Sequence, residues 1–150
     1  MALFDIFGSR PDVKKFFSDL NKDTMHLVDE FYDENACFQD PVARITERKQ
    51  IKNYYAHLYN DLESIRFEFS DEIKQGDTEA LAWKMILKTK SLNAGKPVVV
   101  DGISHIKFGG REGKVIYHRD YFDMGAFVYE YIPVLGQVIK MVKRKLSAHE

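Results

Sequence analysis

Two acidic residues and one histidine are placed where they could move protons. Lys114 to Asp123 reads as a strand, and side chains on a strand alternate with period two. Ile116, His118, Asp120 and Phe122 therefore share one face. A His–Asp pair can hold one imidazole tautomer and transfer a proton near neutral pH. It can equally be a partly buried pair that only satisfies itself. The other acid is Asp40, followed at once by Pro41. A carboxylate beside an apolar cavity is desolvated, so its pKa rises and it can act as a base. The competing role for Asp40 is to cap the turn before the proline. Metal chemistry is not expected, because the five histidines are spread along the chain without ligand spacing. Gly109-Gly110 lacks the Lys and Ser/Thr of a phosphate loop and reads as a hairpin turn. Neither a cofactor nor a metal is expected.

The elements that must position these residues are legible from apolar spacing. Pro11 suits a first helical turn with Ser9 as its cap, and Val13, Phe16, Phe17 and Leu20 recur at helical intervals. A second helix is predicted from Thr24 to Tyr32. A short strand follows from Ala36 to Gln39. A third helix covers Lys49 to Leu62, with Ile51, Tyr54, Tyr55, Leu58 and Leu62 as its stripe. Strands are then predicted over 66–72, 79–90, 97–108 and 114–123, separated by glycine-bearing turns. Val100, Gly102, Ser104 and Ile106 should face inward, and Asp101 and His105 outward. Three helices followed by long antiparallel strands define an α+β domain. Its expected form is a strongly curved sheet closed by the helices into a cone, with a C-terminal helical extension over 124–146.

Four segments carry a resemblance. The run from Phe31 to Val42, Ile51-Lys52-Asn53-Tyr54-Tyr55 and Ile103 to Phe108 resemble segments of ketosteroid isomerases. Arg119-Asp120-Tyr121-Phe122-Asp123 resembles the last strand of SnoaL-like and limonene-epoxide-hydrolase-like proteins. The chain is therefore similar to the SnoaL-like, nuclear-transport-factor-2-like superfamily over residues 11–123. That resemblance implies one domain built around an apolar small-molecule pocket. It places Asp40 at the isomerase base and Tyr55 at a supporting tyrosine. Phe16 stands at the isomerase oxyanion tyrosine and Ser104 at its partner acid. One donor is thus missing, and loss of one typically costs ~2.7–4 kcal/mol of transition-state stabilisation. Steroid isomerisation by that route is disfavoured. Asp120 falls on an epoxide-hydrolase aspartate and on the acid/base aspartate of SnoaL-like cyclases. The arginine and second aspartate of epoxide hydrolases meet Lys84, Met85, Ile86 and Leu87 here. Their water-positioning tyrosine and asparagine meet Phe38 and Asp40.

The expected catalytic set is thus Asp40, Asp120, His118 and Tyr55. The expected lining is Phe16, Phe31, Phe38, Val42, Ser104, Ile106 and Phe122. The function implied is cofactor-independent acid/base chemistry of isomerase, cyclase or hydrolase type on a hydrophobic substrate. The alternative is a non-catalytic binding or accessory protein for such a ligand.

Composition fits either reading. The chain has 150 residues, 45% hydrophobic and 13% aromatic, enough for a core and a lined cavity. A net charge of -1 gives no basic face for nucleic acid. The lone Cys37 cannot form an internal disulfide and is expected to be buried. The start, MALFDIFGSRP, lacks the basic flank and apolar run of a signal peptide, and no stretch reaches the ~20 apolar residues of a membrane span. A cytoplasmic protein is expected, and the resemblance implies a homodimer paired through the outer sheet face with His105 at the interface. The tail has Val134, Leu135, Val138, Ile139, Val142 and Leu146 on one face and Lys140, Lys143, Arg144 and Lys145 in its last turns. It is expected to pack over the cone or its dimer, with weak contact to a membrane surface as the rival. Pro133 and Gly136 predict a bend there.

Overall fold

A computed structural model describes residues 10–127 and 133–148. Ser9 and residues 128–132 lie outside them. Helix α1 spans Val13–Asp19. Its cap is Asp12, whose carboxylate accepts from the Lys15 amide at 3.1 Å. Pro11 precedes that cap instead of opening the helix. Helix α2 is only Leu27–Phe31, and strand β1 already runs from Tyr32 to Gln39. Strand β2 is Arg44–Thr46 and helix α3 is Arg48–Asn60. The long strands are β3, Leu62–Gln75; β4, Thr78–Thr89; β5, Val98–Phe108; and β6, Val115–Phe122. A short α4, Met124–Phe127, and a longer α5, Pro133–Ser147, follow. Pro133 opens α5, where its missing N–H is harmless.

The six strands form one curved, unclosed sheet in the order β2-β1-β6-β5-β4-β3. All pairs are antiparallel except β1 with β6, which run parallel. This pair sets Phe38 beside His118. The β4 strand alternates strictly, burying Glu79, Leu81, Trp83, Met85, Leu87 and Thr89. On β5, Val100, Ser104 and Ile106 face in with it, as period two requires. On β6 the alternation slips. Lys107 pairs Tyr117 while Phe108 pairs Val115, so the register shifts there. Such a bulge reorients the strand. Val115 is buried and Ile116 exposed, so Ile116 leaves the face it was expected to share with His118. Cys37 is half-buried, since Ala36 and Phe38 take the inward positions beside it.

Trp83 lies opposite Gly102 across β4 and β5. A Cβ on Gly102 would stand 2.3 Å from the indole Cη2. Gly102→Ala is therefore expected to displace the ring and destabilise the fold by about 1–3 kcal/mol. A denaturant midpoint equal to wild type would show that the ring is not seated there.

Glu79 is only 4% exposed and sits where the sheet meets the start of α1. Its Oε2 has no hydrogen-bond partner. Burial, then the neighbouring Glu72 carboxylate, push its pKa up to about 7; Lys74 opposes this and Asp12 adds to it. In this range the folded state holds a proton that the unfolded state has lost. Stability should thus fall as pH rises from about 4.5 to about 7. Glu79→Gln should flatten that fall and gain on the order of 2 kcal/mol at pH 8. Parallel pH profiles for both proteins in urea melts would count against this.

Candidate active site

A cavity of about 370 Å³ opens between the helices and the sheet. Phe16 and Phe17 of α1 with Leu20 just beyond it form one wall, and Tyr54, Tyr55 and Leu58 of α3 another. Trp83, Met85 and Leu87 of β4 form the floor. Val42 stands at the rim, and Phe122 and Asp120 enter from β6. Asp120 supplies the one carboxylate among the described lining residues. A cavity of this size and lining suits a small apolar ligand oriented by very few polar groups.

Behind that wall lies a continuous hydrogen-bond chain. Trp83 Nε1–H donates to Ser104 Oγ at 2.8 Å, and indole nitrogen can only donate. Ser104 must then spend its own proton on Asp120 Oδ1, at 2.6 Å. His118 Nε2 meets the same Oδ1 at 2.5 Å, and its Nδ1 meets Tyr32 Oη at 2.6 Å. Tyr32 Oη lies 2.9 Å from Tyr55 Oη. With Asp120 ionised and His118 neutral, all donors run one way: Tyr55 to Tyr32, Tyr32 to Nδ1, and Nε2–H to Asp120. With His118 protonated, Nδ1–H donates to Tyr32, Tyr32 donates to Tyr55, and the Tyr55 proton is released toward the cavity. Burial pushes the Tyr32 and Tyr55 phenols well above their ordinary pKa, so both act as neutral donors. The stretch from Asp120 to Tyr55 thus has both its ends among the cavity-lining residues, a carboxylate at one and a phenol at the other. Asp120 Oδ2 makes no hydrogen bond among the described residues.

Asp40 occupies a different place. Its Oδ1 accepts from the Val42 and Ala43 amides, both at 2.8 Å, and its Oδ2 accepts from Tyr54 at 2.7 Å. This is the turn-capping arrangement, and it fills both oxygens. Asp40 does not line the apolar cavity; it fixes Tyr54, which does. Asp40 and Asp120 meet instead along a shallower outer groove with Arg119 and Asp123.

The expected lining residues divide in two. Phe16, Val42 and Phe122 reach the cavity, with Tyr55 and Asp120. Phe31, Phe38, Ser104 and Ile106 do not; they form a second layer under it. Phe31 stacks on the back of Phe16 at 3.9 Å between centroids, and Phe38 meets His118 edge-on at 5.0 Å. Ser104 and Ile106 are fully buried on β5. Facing inward is thus not the same as reaching the ligand, because a cone this aromatic is two side chains thick. Tyr32 and Trp83 were not foreseen in the network. The sequence pattern ends a helix at Tyr32, which hides its direction across to β6; in the structure Tyr32 opens β1. Among the described residues no three His, Cys, Asp or Glu side chains are grouped to hold a metal ion. No described helix is long and apolar enough to cross a membrane.

Helices laid on a curved, unclosed sheet, with an acidic side chain on the last strand, define the cone-shaped α+β class. Residues 13–118 match the SnoaL-like domain, and the chain belongs to that family. Solved structures agree on the fold. A hypothetical protein of ketosteroid isomerase-like fold from Catenulispora acidiphila, in complex with trimethylamine, aligns with a TM-score of 0.65 at 16% identity, over 78% of this chain and 85% of that one. An LEH-like epoxide hydrolase from M. tuberculosis aligns at 0.62 and 15% identity, over 75% and 76% of the two chains. An NTF2-like protein of unknown function from Burkholderia pseudomallei aligns at 0.63 and 11%, over 76% and 86%. No curated protein matches the sequence significantly.

Proposed function

We propose that this chain performs acid/base chemistry on an apolar small molecule bearing one carbonyl or enolisable group. The observation that carries the reading is Asp120, an otherwise isolated carboxylate in an apolar cavity, with Oδ1 anchored and Oδ2 free. In this scheme Oδ2 takes a proton from the ligand carbon, and the ligand oxygen receives one from Tyr55. Tyr32 and His118 hold Tyr55 and Asp120 in place, and the cycle closes when Asp120 returns its proton to a second carbon of the ligand and the ligand oxygen returns its proton to Tyr55. Proton count is conserved, since the proton gained at Asp120 equals the one lost at Tyr55. Asp40 serves by holding Tyr54.

One feature favours a second reading, in which the cavity only shelters its ligand. The wall at Phe16 offers a ring where the related isomerases place a hydroxyl donor. Native mass spectrometry of protein from its own host separates the two. The catalytic reading expects a co-purified apolar molecule that wild type converts and Asp120→Asn retains unconverted. A ligand released unchanged by wild type, with no converted form in the host, would falsify it and leave the sheltering role.

Assembly as a homodimer belongs to the same proposal. Val99, Ile103 and Tyr121 are exposed on the outer sheet face, and His105 packs on Tyr117 beside them. Light scattering at micromolar concentration should give twice the chain mass; a monomer mass ends this part.

A further inference from the structure

The tail helix presents its apolar side outward. In α5, Val138, Met141, Val142 and Leu146 are 45, 43, 49 and 68% exposed. Their spacing places them on one stripe of the helix. The same helix carries Lys140, Lys143, Arg144 and Lys145 and no acidic residue. Lys143 Nζ reaches Asp123 Oδ2 at 2.8 Å, which ties the helix to the chain one residue beyond the cavity-lining Phe122. Lys140, Arg144 and Lys145 form no ion pair among the described residues.

Charge selects the partner. The chain has net charge -1 and this helix carries four of its positive charges, so the rest of the chain is net negative by five. Such segregation turns the helix end toward an anionic surface and the body away from it. Lys145 falls within the stripe, so a second copy of the helix seated there would bury an unpaired charge in an apolar contact, which is costly. Fifteen residues extend about 22 Å, too short to cross a bilayer but suited to lying in its surface. We propose that α5 docks on an anionic lipid bilayer, with the Val138–Leu146 stripe at the boundary of headgroups and acyl chains. Lys145, within the stripe, then extends to the lipid phosphates, and Arg144 and Lys140 on the side and back of the helix add longer-range attraction to the anionic surface. This rests on the helix alone and stands or falls separately from the chemistry of the cavity.

The test is vesicle flotation of the full chain. Wild type should float with equimolar phosphatidylcholine and phosphatidylglycerol. It should bind phosphatidylcholine alone at least about tenfold more weakly. Molar salt, where the screening length is about 3 Å, should weaken binding to the anionic vesicles. The triple change Lys140→Glu, Arg144→Glu, Lys145→Glu and, separately, Val142→Ser with Leu146→Ser should each abolish flotation and leave the thermal midpoint unchanged. Failure of wild type to float overturns the proposal, as does a charge-reversed triple that still floats. So does sedimentation showing that Val142→Ser with Leu146→Ser splits a dimer in a protein that never bound vesicles, which would make the stripe a contact between copies.

Discussion

Asp120→Asn is expected to lower turnover of the cavity ligand by about 10²–10⁴-fold while the ligand stays bound. The amide oxygen can still accept from Ser104 and His118, so the hydrogen-bond chain keeps its geometry. The atom facing the cavity becomes an NH₂ group, which cannot take a proton from carbon. The loss should thus fall on kcat with little change in KM. In free energy the expected effect is roughly 2.7–5.4 kcal/mol on the barrier. The stability cost is smaller, because hydrogen bonds to a charged acceptor are worth about 1.5–3 kcal/mol and weakened bonds remain. The two effects separate if the assay is run well below the melting temperature. Rates within about tenfold of wild type would remove Asp120 from the proton-transfer step.

Tyr32→Phe is the second large effect, on stability. Tyr32 is fully buried, and its ring is packed edge-on against Phe31 and Phe16 at 4.8 and 5.7 Å. Phenylalanine fills the same space, so packing survives. What is lost is the hydroxyl between His118 Nδ1 and Tyr55 Oη, which leaves the fully buried His118 Nδ1 and the cavity-wall Tyr55 hydroxyl without that partner. Each orphaned group costs about 1–3 kcal/mol, so about 2–6 kcal/mol is expected, or roughly 4–24 °C in Tm. Tyr55→Phe alone should cost less, since Tyr32 can still donate to His118. The double variant should cost less than the sum of the singles, because it no longer strands the Tyr55 hydroxyl. Urea melts of the four proteins measure this cycle. Strict additivity would mean that the two hydroxyls do not share a bond.

The fold was legible because its signals are local. Inward and outward alternation along β4 and β5 follows from period two, and burial obeys it from Glu79 to Thr89 and from Val98 to Phe108. The same reasoning placed His118 and Asp120 on one face, two residues apart, and they do touch. It failed on Ile116, because a bulge is a property of two strands and not of one. It also failed at Tyr32. The apolar residues around Val28 and Phe31 continue a helical pattern, and only the parallel pairing of β1 with β6 draws Tyr32 into a strand.

Asp40 shows a different limit. Its position before Pro41 is equally suited to a base and to a turn, and local sequence carries both. In the structure the turn's amides and Tyr54 take three of the roughly four acceptor positions of the carboxylate, which is the turn-capping arrangement.

By itself, then, the sequence determined the α+β class, the apolar interior and the pairing of His118 with Asp120. These depend on residue type and on spacing within single elements. Tertiary structure alone decided which inward residues reach the cavity and which form the layer behind it. It also joined Trp83, Ser104, Asp120, His118, Tyr32 and Tyr55 into one chain. Those residues come from four strands and a helix, and hydrogen bonds between them depend on angstrom-scale distances that no spacing along the chain encodes.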